Sequence, residues 1–542
     1  MQESACQSAI ATGLNRDQII ERQYAGFCTE IGVQPSRPDL VAGRSPERIV
    51  THQLLRQKLL SDPAMAALLP SAQCFIALGR EGDMPFRLKS PDLLLIPPTL
   101  LSSVPAIAAV TRWGLEAASV VQRGELSYSK LLGVLRHGSS LLKMLTISDR
   151  ALVLNGMPED ISREMIGSRM MKPSSTLMSW LVDMVGIKIL PPTEEESEVV
   201  DSALSLPIEH LLSSNGDSRL VIDGRTGKNR YGTTVRPRPE AVHFSSSTAS
   251  SISDHGFMVC DVLRRDLALQ VLEKHDSNHG VRRALSDAVV ATLRELCGLA
   301  DEEADGVIAP SGTDTEVLSV LLALAAGKDT PLVNVLVSPE ETGRGVKLAA
   351  SGCYFDDQSS TGVEIGKGQT IWSEVQVSVL NVGLRDAAGA VLHLADVDRE
   401  FETLGMAALE QGSRVLAHVL LGSKTGLSGP SLTVVDKLVA LAPDRVDVVV
   451  DACQMRIDFH ELGALVRRGW MVQLSGSKAL TGPAFSGAIL VPLSMRERID
   501  GVKALMQPGA GYSEDWSRWW SAQMTLPRVT PSLVRRSVGC RH

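Results

Sequence analysis

Residues 445–456, RVDVVVDACQMR, and residues 471–492, MVQLSGSKALTGPAFSGAILVP, decide the fold class of this chain. In the first stretch a run of valines ends at Asp451, and in the second Lys478 lies between two apolar runs. Uninterrupted runs of Val, Ile and Leu are typical of strands that are buried on both faces. They predict a parallel sheet covered by helices, with Asp451 and Lys478 just beyond the ends of two of its strands.

The same alternation of strands and helices extends over residues 257–505. Further strands are predicted at residues 305–311, 331–338, 370–382 and 414–421. Helices are predicted at residues 257–275, 280–299, 314–327, 343–352, 398–412 and 460–469. Because helices separate most of the strands, the predicted fold class is α/β, a mostly parallel sheet sandwiched by helices. We interpret residues 257–505 as one large domain.

The chain before this domain is predicted to be mainly helical over residues 1–200. In residues 45–62, Ser45 is a candidate N-cap, Pro46 takes the first helical position, and apolar residues then recur at helical spacing. Nothing in this region has the spacing of metal ligands or of a catalytic nucleophile. The sequence therefore predicts its secondary structure but not its role.

Two segments without a strong core pattern flank the predicted α/β domain. A Pro-led acidic stretch at residues 191–205 marks a boundary, and the turn-rich residues 201–256 are interpreted as a linker that leads into the domain. Residues 506–542 are interpreted as a short C-terminal segment, in which residues 530–542 have no strong core pattern. Either the end is truncated or frame-altered, or the helical N-terminal region takes over the role of the missing small domain.

The composition excludes nucleic acid as a partner. The 542 residues include 54 Lys and Arg against 62 Asp and Glu, a net charge of −8, and the chain has no long basic run. It therefore lacks the electrostatic footprint that nucleic-acid binding requires. The eight cysteines form no CxxC pair, so we expect free thiols in a reducing compartment.

The most apolar stretch, Leu93–Val110, has nearly the length of a membrane span. Pro97, Pro98 and Pro105 would break a spanning helix, so we interpret the stretch as a buried loop and the start of a helix. The first residues show no basic and apolar pattern of a signal peptide. We expect a cytoplasmic protein that does not bind membranes.

The first candidate site follows the strand at residues 305–311. In PSGTDTE, residues 310–316, a Ser-Gly-Thr turn opens a helix. The backbone N–H groups of Gly312, Thr313 and Asp314, with the Thr313 hydroxyl and the positive end of the helix dipole, suit a phosphate. Taken alone, the same turn also fits an ordinary capped helix start.

Two further candidate residues lie at the ends of other strands. Asp451 ends the valine run, with Gln454 just beyond it, and a carboxylate there needs a partner because an unpaired buried charge is costly. A protonated pyridine nitrogen would be such a partner, although a carboxylate can also cap the next turn. Lys478 lies among small residues and apolar strands, where partial desolvation favours the neutral, nucleophilic amine. A lone lysine near a turn is more often a solvated surface charge.

Taken together, these motifs resemble those of the fold-type-I pyridoxal phosphate enzymes, in particular the class V aminotransferase and cysteine desulfurase group. The resemblance rests on PSGTDTE (310–316), VDACQ (450–454) and SGSK (475–478), and it covers about residues 240–510. The motifs are specific as a set, and each is weak alone.

The resemblance implies a pyridoxal phosphate cofactor and a role for each matching residue. Lys478 would carry the cofactor as a Schiff base, Asp451 would hold the ring nitrogen protonated, and Gln454 would bind the ring oxygen. Ser475 and Ser477 would help Gly312 and Thr313 to hold the phosphate. The resemblance also implies an aminotransferase-like reaction on an amino acid or amine, and a homodimer.

The sequence departs from the family pattern beside the cofactor. Where the family stacks an aromatic residue on the ring, this chain has Glu340 and Glu341, so either a glutamate faces the ring edge or the stacking group comes from elsewhere. Where the family often has an asparagine, the turn GSKTG offers Ser423 or Thr425.

The sequence also departs from the family after the lysine. Residues 479–542 are fewer than the family's small domain requires, and Cys540 is the only cysteine that follows Lys478, so a desulfurase is disfavoured. The arginine that would bind the substrate carboxylate is not assigned among those in this segment, which are Arg496, Arg498, Arg518, Arg528, Arg535, Arg536 and Arg541. The alternative function is a catalytically impaired protein that keeps the pocket and acts as a binding or scaffold partner.

Overall fold

A computed structural model of the chain describes residues 46–123, 127–167, 173–186, 203–213, 218–242, 251–274, 278–327, 329–359, 364–372, 376–495 and 498. The chain divides into two compact units. The first comprises residues 1–208 and 260–276, and the second comprises residues 209–259 and 277–542. The domain boundaries that the sequence suggests, at residues 200, 256 and 505, stay predictions, and the segment 506–542 lies outside the described residues.

The first unit contains helices and a small sheet. Its helices are Pro46–Ile49, Gln53–Leu60, Pro63–Leu68, Val104–Gln122, Tyr128–Met144, Ile147–Leu154, Glu159–Met165 and Ser175–Val185. Its strands are β1 (Phe75–Leu78), β2 (Arg87–Ser90) and β3 (Leu93–Ile96), in the order β1-β3-β2. Leu93–Ile96 pairs with both other strands, and its four side chains are buried. It is therefore a strand and not part of the buried loop that the sequence analysis predicts.

Residues 45–62 form two helices where the sequence pattern predicts one. The break lies at Val50, which forms a parallel bridge to Ile76, and the Thr51 N–H donates to the Ile76 carbonyl oxygen at 3.0 Å. Pairing with the sheet therefore outweighs continuation of the helix. Pro46 does open the first helix, while Ser45 lies outside the described residues.

The Val104–Gln122 helix is the core helix of the first unit. By length and composition it is the one helix among the described residues that is apolar enough to cross a membrane, but 78% of its most apolar window is buried inside the protein. Burial of this kind is what a core helix of a globular unit shows, so the helix is weak evidence for a membrane span.

Residues of the Asp254–Lys274 helix take part in a buried group of charges within the first unit. Arg264 is 2% exposed and donates to both carboxylate oxygens of Glu116, at 3.1 and 2.6 Å, and to Asp261 at 3.0 Å. His137 is buried beside this group. The charges are thus paired with one another, as burial requires.

The second unit is built on a sheet of seven strands. They are β4 (Ala304–Ala309), β5 (Leu332–Val337), β6 (Val377–Val382), β7 (Arg414–Leu420), β8 (Val446–Asp451), β9 (Met471–Ser475) and β10 (Gly487–Pro492). Their order is β4-β10-β9-β8-β7-β5-β6. β10 runs antiparallel to both of its neighbours, β4 and β9, and all other pairs in this sheet are parallel.

Helices cover this sheet. They are Asn278–Leu296, Gly312–Ala325, Val346–Ala350, Leu394–Glu410, Leu432–Leu441 and Phe459–Arg467, and the short Ile208–Ser213 helix precedes them. The predicted fold class, a mostly parallel sheet flanked by helices, is confirmed. The Leu432–Leu441 helix is missed by the sequence analysis, although Ser431 caps it by accepting the Val434 N–H.

Candidate functional site

A cavity of about 880 Å³ lies at the carboxyl ends of the parallel strands of the second unit. Parallel strands end at one edge of a sheet, which is where α/β proteins bind ligands. The loops after β4, β5, β7, β8 and β9 all contribute to its walls. The lining residues that the sequence analysis singled out are Gly312, Thr313, Glu341, Ser423, Asp451, Gln454 and Lys478.

Lys478 and Asp451 line this same cavity from the ends of neighbouring strands. Asp451 is the last residue of β8 and is 8% exposed, and its Oδ1 accepts the Cys453 N–H at 2.9 Å. Lys478 follows β9 in a tight turn, in which Gly482 donates to the Gly476 carbonyl oxygen at 2.8 Å. A ligand in the cavity can therefore contact both the amine of Lys478 and the carboxylate of Asp451. A backbone hydrogen bond holds that carboxylate in place.

The helix start after β4 is capped by its own serine. Ser311 is the N-cap of the Gly312–Ala325 helix, and its Oγ accepts the Asp314 N–H at 3.4 Å and donates to the Asp314 carboxylate. This differs from the prediction that the Asp314 N–H faces a phosphate, because the cap engages that donor, and Asp314 is not among the lining residues. Gly312 does line the cavity, and a Cβ there would lie 2.5 Å from the Cys453 sulfur.

Ser475 and Ser477 lie behind the cavity wall. Both are buried, and their hydroxyl oxygens are 3.1 Å apart. Neither is among the lining residues, although Lys478 beside them is. In this conformation their hydroxyls support the lysine turn, and their predicted contact with a phosphate stays a prediction.

Glu341 and Ser423 belong to one hydrogen-bonded group. The Glu341 carboxylate accepts bonds from Ser423 at 2.9 Å, from Thr425 at 2.7 Å and from Arg385 at 2.8 Å. Burial opposes the charged form, but these donors outweigh it and hold the pKa of Glu341 below its ordinary value. Glu341 is thus an ion-paired wall residue, and Arg385, which the sequence analysis missed, is its cation.

The cavity carries more basic than acidic side chains. Its acidic lining residues are Glu341, Asp356 and Asp451, whereas the basic ones are Arg219, Arg230, Arg344, Lys367, Lys424 and Lys478. The ammonium of Lys424 donates to the Thr342 carbonyl oxygen. Burial lowers the pKa of Lys424, and the positive charges of Lys478 and Arg344 lower it further. A cavity of this charge favours an anionic ligand.

Four residues with strained backbones stand in the loops at this edge of the sheet. Ser338 follows β5, Met455 follows β8, and Thr481 and Phe485 lie between β9 and β10, with φ angles of 39°, 52°, 50° and 59°. They are the positive-φ residues other than glycine in the part of the chain that the structure describes. Such backbones cluster at functional sites, where the surrounding structure enforces them.

A buried polar layer supports the sheet beside Asp451. Glu316 accepts hydrogen bonds from Asn334 at 3.0 Å and from Gln473 at 2.8 Å, and its carboxylate lies 3.3 Å from His418 Nε2. Burial disfavours the imidazolium, but the Glu316 charge outweighs burial and raises the pKa of His418. Gln473 pairs in register with Asp451, so this layer is directly adjacent to the candidate site.

Similarity between this chain and known proteins is found among solved structures. No protein-family model and no curated protein matches it. Similar solved structures include mouse CSAD (15% identity, TM-score 0.31, 49% of this chain and 51% of the other). The glutamate decarboxylase domain of diaminobutyrate-pyruvate transaminase and L-2,4-diaminobutyrate decarboxylase from Vibrio parahaemolyticus has 15% identity and a TM-score of 0.31, over 50% and 58% of the two chains.

Histidinol-phosphate aminotransferase from Clostridium acetobutylicum is similar at 10% identity and a TM-score of 0.31, over 55% of this chain and 72% of the other. The chain thus spans about half the length of mouse CSAD. Similarities of this size carry no argument about function.

Proposed function

We propose that the second unit binds pyridoxal phosphate and uses it to act on an amino acid or amine. The observation that carries this proposal is that Lys478 and Asp451 line one cavity at the carboxyl edge of the sheet, as partners of a single heterocycle would. The aminotransferase-like reaction and the homodimer in this proposal rest on the sequence resemblance alone, and a cytoplasmic location rests on the pattern of the first residues and of the cysteines.

The residues present fit this cofactor. The cavity volume of about 880 Å³ lies in the upper part of the range for small-molecule sites and leaves room for a cofactor and a substrate together. Its surplus of basic side chains suits a phosphate and a carboxylate. When bound, pyridoxal phosphate supplies an aldehyde that condenses with an amine, with release of water, and a protonated ring that accepts electrons.

Each residue then has a task that follows from its position. Lys478 would hold the cofactor through its amine, and the same nitrogen would act as the base that moves a proton. Asp451, whose carboxylate accepts the Cys453 N–H, would be the partner of the ring nitrogen. Gln454 offers an amide to the ring oxygen, and Gly312 and Thr313 offer backbone and hydroxyl donors to the phosphate.

The test is to identify the lysine that holds the cofactor. We expect the purified protein to bind pyridoxal phosphate with a visible absorbance band, and borohydride to fix the cofactor on the peptide that carries Lys478, as peptide mass spectrometry would show. Lys478→Ala should lose this label. Lys424→Ala is the matched control, because it removes another amine of the same cavity and should keep the label.

The outcomes separate the candidate functions. Label on Lys424, or no label in the unsubstituted protein, would refute the assignment of Lys478. If the label appears at Lys478, a panel of amino acids and amines is added, and a spectral change identifies the enzyme's substrate class. Label without any spectral response would support the alternative, a binding or scaffold protein that keeps the pocket.

A further inference from the structure

The linker segment, residues 201–256, places a buried arginine in the wall of the cavity. Arg219 is 8% exposed and lines the cavity. Its guanidinium carbon lies 4.4 Å from the centre of the Phe485 ring and 5.6 Å from the centre of the Phe355 ring. Cation–π contacts with two rings hold the guanidinium in one place.

The first ring leads to the helix start after β4. A Cβ on Gly345 would lie 3.0 Å from Phe355 Cβ and 3.1 Å from Thr313 Cγ2, so Phe355 and Thr313 both pack against the bare backbone of Gly345. Arg219 is therefore next to a ring that borders Thr313. Thr313 is one of the residues proposed to hold a phosphate.

The second ring leads to the lysine turn. Phe485 precedes Ser486, whose Oγ would lie 2.9 Å from a Cβ on Gly476, and Gly476 stands between Ser475 and Ser477. Phe485 keeps a φ of 59°, which is rare for a bulky residue and persists only where its surroundings enforce it. Arg219 thus contacts a ring that packs beside Thr313 and a ring in the segment that follows Ser475 and Ser477.

The four residues that the sequence predicts to hold the phosphate carry no positive charge. Gly312, Thr313, Ser475 and Ser477 are neutral donors, whereas a phosphate monoester carries between one and two negative charges near neutral pH. An arginine is suited to this task because its planar guanidinium binds two phosphate oxygens at once. With five N–H donors, Arg219 can bind a phosphate and a partner in its own chain together.

We propose that Arg219 binds the phosphate group of the ligand in this cavity, and that the 5′-phosphate of pyridoxal phosphate is the group it binds. The choice of cofactor rests on the proposed function. The chemistry that Arg219 recognises is shared with any phosphate monoester, including a phosphate carried by the substrate. The experiment therefore compares ligands with and without a phosphate.

The test compares pyridoxal phosphate with pyridoxal in the full-length protein. Loss of a charged hydrogen bond to phosphate should weaken binding of pyridoxal phosphate by about tenfold or more in Arg219→Met. Pyridoxal, which lacks the phosphate, should bind this variant as it binds the unsubstituted protein. Arg219→Lys keeps the charge and should recover part of the affinity.

Arg230→Met is the matched control, because Arg230 lines the same cavity from the same segment but lies 3.5 Å from its own partner, Asp356. It should weaken pyridoxal phosphate binding much less than Arg219→Met. Equal losses for pyridoxal phosphate and pyridoxal in Arg219→Met would mean general damage to the cavity and would overturn the proposal. No loss for either ligand would overturn it as well, unless the substrate arm shows the phosphate dependence.

That substrate arm uses O-phosphoserine and serine. A loss confined to O-phosphoserine would place the Arg219 phosphate on the substrate. If the unsubstituted protein binds no cofactor, the proposed function fails and inorganic phosphate decides the remaining question. Phosphate should then raise the melting temperature of the unsubstituted protein but not of Arg219→Met, and an equal rise in both would refute the site.

Discussion

The His137 imidazole is fully buried in the first unit, and its Nδ1 lies 3.2 Å from the Ser205 carbonyl oxygen. Burial disfavours the imidazolium and lowers the pKa of His137 to about 4. Neighbouring charges act in both directions: those of Glu116 and Asp261 favour the imidazolium, and those of Arg264 and Arg112 oppose it. The protein therefore keeps this ring neutral at pH 7.

This buried histidine predicts a loss of stability in mild acid. The folded pKa of His137 is below the unfolded value near 6.5, so between these two values the unfolded chain binds one proton more than the folded chain does. The unfolded state is therefore stabilised relative to the folded state as the pH falls from about 6.5 toward about 4. Between pH 7 and pH 5 the cost is on the order of 2 kcal/mol. Urea unfolding at several pH values should show a shallower loss for His137→Gln, whose amide can still reach Ser205. An unchanged slope in that variant would mean that other groups cause the loss.

At the scale of elements, strand β10 brings the candidate site together. Gly487 pairs with Ala309 of β4 on one side and with Ser475 of β9 on the other. A Cβ on Gly487 would lie 2.7 Å from the Ser311 carbonyl carbon and 2.8 Å from its oxygen. The glycine is needed because the backbone of the capped helix start approaches this close.

Gly487→Ala should therefore be destabilising and should impair the site. Overpacking of this kind costs about 1–3 kcal/mol, and it pushes Ser311, the N-cap beside the cavity. Denaturant unfolding and pyridoxal phosphate titration measure the two effects. Gly224→Ala is the control, because nothing lies within 4 Å of a Cβ there, and it should be close to neutral. Equal behaviour of the two variants would contradict the packing argument.

The elements also show where prediction from sequence succeeds. Asp451, Lys478 and Gly312 were located because each directly follows or precedes a long apolar run, which is a local signal. Strands β1–β3 have only four residues each, too few to show a clear period. The sequence does not predict Arg219 or Arg385, because only tertiary packing brings Arg219 to the cavity and Arg385 to Glu341. The composition of a loop does not indicate such contacts.

On the scale of the whole molecule, each of the two units has its own core. The first gathers its apolar residues around the Val104–Gln122 helix, and the second gathers them on both faces of the seven-stranded sheet. The charged group at Arg264 lies within the first unit, and the contact of Gly487 with Ser311 lies within the second. Substitutions at these two places should therefore act on different units.

Arg264→Met should destabilise the first unit strongly. It leaves Glu116 buried without its cation and removes one of the two arginines that pair with Asp261, which costs about 3–5 kcal/mol. Arg163→Met is the control, because its ion pair with Glu159 is exposed and such pairs contribute about 1 kcal/mol or less. In calorimetry we expect Arg264→Met and Gly487→Ala to lower different transitions. A single transition lowered by both would show that the units unfold as one.

The antiparallel strand at residues 487–492 has a consequence for biosynthesis. A nascent chain that has left the ribosome only as far as Lys478 already contains each residue proposed to hold pyridoxal phosphate. In this nascent chain, however, strand β4 still lacks β10, the strand that lies between β4 and β9 in the sheet. We therefore expect the proposed cofactor to bind only after these last six residues of the sheet have emerged.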